Sequence, residues 1–422
     1  MKPFTNIHSH VFTAKHSPEY FLKTALPDWM PSWLSNALAR RLNDLLQKKD
    51  TRQALSFVSK CLGFLSPKFR SVVQRTIEFI EIGTSSTQKE IFDDISKTYT
   101  HLGGFRIVVL TQVLDYLDLE QESNHIRIQT QVAQIAELKR HALYQQNIYP
   151  FLGVDPRMTG MNLLDDWVNK YINKDYGFCG IKIYPAAGYF PFDPCLDPIW
   201  EWAEKKGIPV MTHCTRGGSW YLGSFDSILG TGAFDRFGLN PNDRVEGSIL
   251  ARINALKKDK KMHRKNHIWC NIFGHPENYK VVLKKYPKLK ICLAHFGGAN
   301  EVLRSRKTDL CATYPPYFDQ NWYTEVFQMM KEYENVYSDI SYTLSNKKAL
   351  KIIKEDLEAY DASLNEDTEI SLWNKLMYGT DFYLTQQEKK GDEPDLQTLF
   401  FSTFTRKQIV SMAYNAPAKF LK

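Results

Sequence analysis

Two histidines near the N-terminus have the spacing of a metal-binding pair. His8 and His10 lie in segment 4–12, which we interpret as a short buried strand. On a β-strand, side chains two residues apart point to the same face, so one metal ion could bind both imidazoles. The spacing alone is a weak signal, because two solvent-facing histidines near a chain end would show it as well.

Three further polar residues follow apolar segments that are typical of buried strands. His213 ends segment 208–213, His295 ends segment 290–295 and Asp381 ends segment 375–381. Packing alone explains such a set poorly, because buried imidazoles without partners cost free energy. Imidazoles together with one carboxylate suit a divalent metal. Zinc is the first choice, and Mn²⁺ or Fe²⁺ would also fit.

The order of the predicted elements places these residues at one end of a barrel. Eight apolar strands alternate with helices, and the strands end near His10, Thr111, Val154, Tyr184, His213, His295, Ile340 and Asp381. This alternation predicts an α/β protein with a parallel sheet. A (β/α)8 TIM barrel closes such a sheet, and a doubly wound open sheet is the alternative. No Gly-x-Gly-x-x-Gly follows a strand, which counts against a dinucleotide-binding sheet. In a barrel, the C-terminal strand ends carry the chemistry.

The chain is longer than a simple barrel requires. It has 422 residues, whereas a (β/α)8 barrel needs about 250. Between the first and second strands, apolar residues recur with helical spacing, as in segments 33–42 and 69–80. We therefore predict a (β/α)8 barrel formed by residues 1–12 and 101–422, with a helical insertion at 13–100 after strand 1.

Charge and cysteine content narrow the class of protein. The net charge of +7 is spread along the chain apart from one run at 257–265, and no nucleic-acid-binding motif accompanies it, so we expect no nucleic-acid partner. The seven cysteines form no Cys-x-x-Cys pair, which indicates reduced thiols. We see no apolar leader and no apolar run long enough to span a bilayer, so we expect a cytoplasmic protein without a membrane partner.

Three residues near strand ends could bind a substrate. Lys182 ends strand 4 and could be a carbamylated bridge between two metals, a cation for an anionic substrate, or a lysine paired to a carboxylate. Arg216 follows strand 5 beside two glycines, where it could clamp a carboxylate or form an ordinary loop salt bridge. Tyr189 follows strand 4 and could wall the pocket.

Taken together, several segments resemble one known family. They are His8-Ser9-His10 and segments 180–185, 208–213, 293–298, 378–381 and 415–421. As a set they resemble the metal-dependent amidohydrolase superfamily, specifically the amidohydrolase-related branch that contains aminocarboxymuconate-semialdehyde decarboxylase-like enzymes. The resemblance covers residues 1–12 and about 101–422 but not the predicted insertion.

The resemblance implies a distorted (β/α)8 barrel with a divalent metal, usually zinc. It implies that His8, His10 and His213 are metal ligands and that Asp381 is a ligand or a general base. His295 would be a ligand of a second metal, or a catalytic histidine beside a single metal.

The reaction is open between two chemistries, because the branch contains both. Our main hypothesis is hydrolysis of a small amide, ester or lactone, with or without a carboxylate, by a metal-activated water. Asp381 would then move the proton, and His295 would stabilise the oxyanion. The alternative is non-oxidative decarboxylation or another lyase step on a small acid held by Arg216 or Lys182. A metal-stabilised barrel without activity is a third hypothesis. A small-molecule substrate follows from the first two, and a homo-oligomer is compatible with all three.

Overall fold

The computed structural model describes most of the predicted barrel and little of the predicted insertion. The described residues are 2–13, 16, 37, 40–41, 87–114, 126–158, 160–216, 218, 221–223, 237–259, 266–306, 320–364, 370–382 and 391–422. The helices predicted within 17–86 therefore lie almost wholly outside them, and the division into a barrel and an insertion at 13–100 stays a prediction.

Eight parallel strands form one sheet in which each strand pairs with the next along the chain. They are β1 (Phe4–Ser9), β2 (Phe105–Leu110), β3 (Ile148–Gly153), β4 (Gly180–Ile183), β5 (Val210–Thr212), β6 (Ile291–Leu293), β7 (Val336–Asp339) and β8 (Leu376–Met377). All eight correspond to predicted strands.

Backbone hydrogen bonds between β1 and the segment that follows β8 close the sheet into a ring. Ile7 N donates to Tyr378 O at 2.9 Å, and His10 N donates to Phe382 O at 2.6 Å. Asp381 N donates to His8 O at 2.9 Å between them. The predicted (β/α)8 barrel is confirmed, and the open-sheet alternative is excluded.

Helices cover the outside of the barrel. In the described ranges they are α1 (Gln88–Lys97), α2 (Ile126–Arg140), α3 (Asn169–Tyr171), α4 (Asp197–Lys206), α5 (Arg244–Lys258), α6 (Asn266–Phe273), α7 (Asn278–Lys285), α8 (Ala299–Arg304), α9 (Trp322–Glu332), α10 (Lys347–Ala362), α11 (Glu393–Thr403), α12 (Arg406–Val410) and α13 (Ala416–Phe420). None of these helices is long and apolar enough to cross a membrane.

Alternating side chains on each strand build two cores. On β2, Ile107 and Val109 join the large core between sheet and helices, whereas Val108 and Leu110 join the core inside the barrel. This period of two is inherent in a strand. The inner core also contains Phe420 of α13, whose ring lies 5.1 Å from that of Tyr337 near the start of β7. The C-terminal helix therefore seals the N-terminal end of the barrel and leaves the opposite end for chemistry.

Candidate metal centre

The C-terminal end of the barrel gathers the histidines and the aspartate that the sequence predicts as functional. His8 belongs to β1 and His10 follows it, His213 follows β5, His295 follows β6 and Asp381 follows β8. His8, His10, His295 and Asp381 are buried, and His213 is partly exposed. The structure therefore brings together all five predicted metal-binding and catalytic residues.

His8, His10 and Asp381 form one compact group. Asp381 Oδ1 lies 3.5 Å from Nε2 of His8 and 3.4 Å from Nε2 of His10. One potential ligand atom from each residue lies within 4.8 Å of the other two. The opposite ring nitrogen of His10, Nδ1, lies 3.2 Å from Leu110 O. Donation of an Nδ1 proton to this carbonyl leaves Nε2 as the lone-pair atom that faces Asp381.

The ring of His8 is held in the same tautomer by a carboxylate. Its Nδ1 lies 3.1 Å from Oδ2 of Asp339, so Nδ1 carries the proton and Nε2 the lone pair. Nε2 is buried, and in the described part of the chain it has no hydrogen-bond partner. Buried polar atoms are nearly always satisfied. An imidazole oriented by a carboxylate, with a bare second nitrogen, fits a metal ligand.

His213 and His295 extend the group across the barrel. His295 Nε2 lies 3.1 Å from His213 Nδ1, and the ring centres of His8 and His295 are 4.8 Å apart. His295 Nδ1 lies 3.1 Å from Ser341 O and 2.9 Å from Ser341 Oγ. Because the Ser341 hydroxyl donates to Asp339, His295 carries its proton on Nδ1. Its Nε2 is then an acceptor that faces the cluster.

Asp339 is a functional candidate that the sequence reasoning missed. It is fully buried, and its Oδ1 accepts from the backbone N–H groups of His295 at 3.0 Å and Ser341 at 2.9 Å. Its Oδ2 faces His8. Asp339 also forms a group with His8 and His295 whose potential ligand atoms lie within 4.8 Å of one another. Since both of its oxygens already accept hydrogen bonds, it orients two imidazoles. Its position as the last residue of β7 is the signal that could have revealed it.

The backbone is strained at this end of the barrel. His295, Asp381 and Tyr342 are non-glycine residues with φ of 70°, 58° and 59°, a region that costs free energy for L-residues. Thr343 Oγ1 donates to His295 O at 2.7 Å, which helps hold His295 in this conformation. Such strain is common at functional sites.

Burial keeps the imidazoles neutral and able to bind a metal. It lowers the pKa of His8, His10 and His295 well below the ordinary value of 6.5, and the nearby Lys182 ammonium lowers each pKa further. Metal binding requires a neutral imidazole, so these three rings need not release a proton at neutral pH.

Lys182 lies inside the barrel, between Gly153 on β3 and Met211 on β5. Burial lowers its pKa to about 8, although the carboxylates of Asp381 and Asp339 act in the opposite direction. No carboxylate of the described chain lies within 4.0 Å of its amine, and the side chain is 1% exposed. The lysine–carboxylate pair, one of the alternatives for Lys182, is therefore not formed among these residues.

Arg216 follows His213 by three residues and makes the contacts of a loop salt bridge. Its Nε lies 3.3 Å from Glu301 Oε1, and its Nη2 donates to Gln320 O at 2.7 Å. Its guanidinium lies 4.8 Å from the centre of the Trp322 ring. The role of Arg216 as a substrate clamp stays a prediction.

Tyr189 is buried behind β4. Its hydroxyl accepts from Tyr184 N at 2.8 Å and donates to Val154 O at 3.4 Å. These bonds join the segments that follow β3 and β4. The role of Tyr189 as a pocket wall stays a prediction.

A closed (β/α)8 barrel with buried histidines and carboxylates at its C-terminal strand ends defines a class of metal-dependent barrel enzymes. A family model described as "Amidohydrolase" matches residues 133–422. The chain belongs to this family and is an enzyme of the amidohydrolase superfamily with a divalent metal centre. The matched region contains His213, His295 and Asp381. The pair His8 and His10 lies before it and is assigned to the site by geometry.

Several solved structures are similar at low sequence identity. A 5-carboxyvanillate decarboxylase from Novosphingobium aromaticivorans, complexed with manganese, is 13% identical with a TM-score of 0.49, covering 100% of this chain and 96% of that one. A dihydroxybenzoic acid decarboxylase from Polaromonas, also with manganese, is 14% identical (TM-score 0.47; 100% and 97% covered). A 4-oxalomesaconate hydratase from Rhodopseudomonas palustris is 13% identical (TM-score 0.42; 99% and 95% covered). A comparison with curated protein sequences finds no match.

Proposed function

We propose that this protein is a metal-dependent hydrolase that acts on a small amide, ester or lactone bearing a carboxylate. One observation carries the proposal. The bare Nε2 of His8 and Nε2 of His10 both face Asp381 Oδ1, at 3.5 Å and 3.4 Å. This arrangement offers two neutral imidazoles and one carboxylate to a single ion.

His8, His10, His213 and Asp381 would hold the metal. Zinc is our first choice, and Mn²⁺ or Fe²⁺ also suits nitrogen and carboxylate ligands. When bound, the ion would lower the pKa of a water molecule and polarise a carbonyl group. Asp339 would keep His8 in the required tautomer through its 3.1 Å bond to Nδ1.

Asp381 would move protons, and His295 would stabilise charge. The Asp381 carboxylate would accept a proton from the attacking water and deliver it to the leaving group. His295 carries its proton on Nδ1, and its Nε2 lies 3.1 Å from His213 Nδ1. Through this pair of rings, His295 would stabilise a developing oxyanion.

Lys182 supports a substrate that bears a carboxylate. Its amine lies inside the barrel, and among the described residues no acidic group lies within 4.0 Å of it. A buried ammonium without a counter-ion is costly, and an anionic substrate would supply the missing charge. Arg216 would have to leave Glu301 to assist.

Metal analysis together with an activity panel tests the proposal. We expect the purified protein to contain near-stoichiometric divalent metal and to hydrolyse at least one carboxylate-bearing amide, ester or lactone. His213→Ala should lose the metal, because one ligand is removed. Arg216→Ala should keep it, because Arg216 pairs with Glu301. Wild-type protein free of metal, or a His213→Ala variant with full metal content, would refute the site.

Decarboxylation is the second candidate function, and the position of Lys182 favours it as well. An ammonium beside the metal ligands could hold the carboxylate of a small acid next to the reacting carbon. Release of carbon dioxide without a hydrolysis product, measured on the same panel, would select this chemistry.

We also propose a cytoplasmic location, small-molecule substrates and no nucleic-acid or membrane partner. Cys179, Cys195, Cys214 and Cys292 are free thiols, which supports a reducing compartment. Self-association is the one assembly we propose to examine, by sedimentation of the purified protein.

A further inference from the structure

A buried carboxyl group lies apart from the predicted metal ligands, at the start of α11. Glu393 is 3% exposed, and no lysine, arginine or histidine of the described chain forms an ion pair with it. Its main partner is the hydroxyl of Tyr99, which donates to Oε1. A carboxyl buried without a cation costs free energy, so its retention in the core calls for an explanation.

Tyr99 connects this carboxyl to β1. The side-chain amide of Asn6 donates to Tyr99 Oη at 2.9 Å and to Thr380 Oγ1 at 2.8 Å. Asn6, Tyr99 and Thr380 are each fully buried. The network therefore runs from α11 through the segment after α1 to the seam where β1 meets the end of β8.

The other end of the Asn6 side chain holds the backbone at the metal ligands. Asn6 Oδ1 accepts from His8 N at 3.1 Å and from Thr380 N at 3.3 Å. Asp381 follows Thr380, has a positive φ of 58° and donates its N–H to His8 O at 2.9 Å. One amide side chain thus fixes the peptide groups that position both His8 and Asp381.

We propose that Glu393 is a positioning residue for His8 and Asp381, which acts through Tyr99 and Asn6. The proposal rests on the metal site described under Proposed function. It assigns a role to four residues outside that site: Asn6, Tyr99, Thr380 and Glu393.

The charge on Glu393 would change the strength of the network. The pKa of Glu393 is raised to about 7, chiefly by burial and in part by Asp392, while hydrogen bonds from Tyr99, Thr380 and Gln397 act in the opposite direction. In the described ranges, the titratable groups facing it are Tyr99 after α1, Tyr378 after β8 and Asp392, which caps its own helix. An ionised carboxylate accepts a stronger hydrogen bond than a neutral one, so Tyr99 is held more firmly above neutral pH.

Tyr99 also connects the predicted insertion to the metal site through hydrogen bonds. It lies within residues 13–100, two residues after α1 ends, and its hydroxyl touches both Glu393 and Asn6. A movement of this segment would pull on the same amide that holds His8 and Asp381.

Two substitutions separate the parts of the network. Glu393→Gln keeps the shape and removes the charge. Tyr99→Phe keeps the ring, which packs 5.9 Å from Phe4, and removes the hydroxyl. Tyr286→Phe is the matched control, because it deletes a tyrosine–aspartate hydrogen bond of 3.1 Å ahead of β6, at the other end of the barrel.

The first measurement is the ¹⁵N chemical shift of the His8 ring in metal-free protein between about pH 5.5 and 8.5, a range around the ordinary histidine pKa. The pKa of His8 itself lies well below 6.5, so a change near pH 7 reports a neighbour. We expect a step near pH 7 in the wild type and in Tyr286→Phe, and none in Glu393→Gln or Tyr99→Phe. A step near pH 8 from Lys182 should persist in all four proteins.

The second measurement is the dissociation constant for Mn²⁺. We expect about tenfold weaker binding in Tyr99→Phe and no change in Tyr286→Phe, since partners that orient ligands contribute on this scale. A His8 signal without a step near pH 7 in the wild type, or with an unaltered step in both network variants, would overturn the proposal. Wild-type protein that shows the expected step but binds no Mn²⁺ would refute the metal site and leave the positioning of His8 standing.

Discussion

His8 shows how one side chain is prepared for chemistry by its neighbours. One ring nitrogen faces Asp339 and the other faces Asp381. The first contact fixes where the proton sits, and the second defines where a metal would bind. Because Asp339 also accepts from the backbone N–H of His295, a single carboxylate sets the position of two imidazoles.

We predict that Asp339→Asn weakens divalent metal binding by about 10- to 100-fold, the range for partners that orient metal ligands. An asparagine would place an N–H group against one of the two donors that now face a carboxylate oxygen, the His8 ring Nδ1 or the backbone N–H of His295. Two donors cannot hydrogen-bond to each other, so His8 or His295 must turn. Calorimetric titration with Mn²⁺ measures the effect. Asp356→Asn, which alters a carboxylate bonded to Tyr323 in the helical layer, should bind as the wild type does. Equal affinity in Asp339→Asn would contradict the orienting role.

The loop after β6 packs closely against the start of α9 at Gly297. Gly297 has a φ of 76°, and a Cβ at this position would lie 2.5 Å from Tyr323 N and 2.7 Å from Trp322 C. Because Gly297 has no side chain, the loop that contains the strained His295 can lie directly against the backbone at the start of α9. Gly103 has the same φ of 76° but nothing within 4 Å of the position of its Cβ.

We predict that Gly297→Ala lowers the free energy of unfolding by about 3 kcal/mol and Gly103→Ala by about 1 kcal/mol. Both substitutions place an L-residue at a left-handed position, and only the first also forces two backbone segments apart. Urea unfolding of the metal-free proteins gives both values. Equal losses would show that crowding at Gly297 is relieved at no cost.

Strand ends were the part of the molecule that the sequence revealed best. Each apolar segment is long enough to show where a strand stops, so the polar residue after it, such as His213 or His295, is predicted to lie at the barrel mouth. The sequence prediction misses Asp339 because it ends this strand near Ile340, one residue beyond the end of β7, which places the carboxylate inside the strand. The positive φ of Asp381 and the pairing of Arg216 with Glu301 depend on neighbours distant in sequence, and no local pattern encodes them.

We expect the buried Glu393 to make the stability of the whole protein depend on pH. The pKa of Glu393 is about 7 in the folded protein against an ordinary 4.5, so the folded state binds this proton more tightly than the unfolded chain does. Protonated Glu393 therefore contributes to the free energy of unfolding. This contribution is complete below about pH 4.5 and is lost as the pH rises through about 7.

Ionisation of the buried Glu393 costs the folded state about 3 kcal/mol relative to the unfolded chain, and we predict that Glu393→Gln removes this cost. Relative to the wild type, the variant should gain stability between about pH 4.5 and pH 8. Urea unfolding of the metal-free proteins at both pH values measures the difference. Glu332→Gln on the exposed face of α9 should follow the wild type, and a Glu393→Gln variant that does so as well would refute the raised pKa.

The ring of strands closes between two distant parts of the chain, since Asn6 and Thr380 are 374 positions apart. During synthesis on a ribosome, β1 emerges before the other strands and can pair with β2 early, but its other edge waits until β8 and the segment after it have been translated. Throughout that interval the edge is a template for a strand from another nascent chain. Prematurely terminated products that lack residues 376–382 would keep this edge open for good, and we expect them to depend on chaperones or to aggregate.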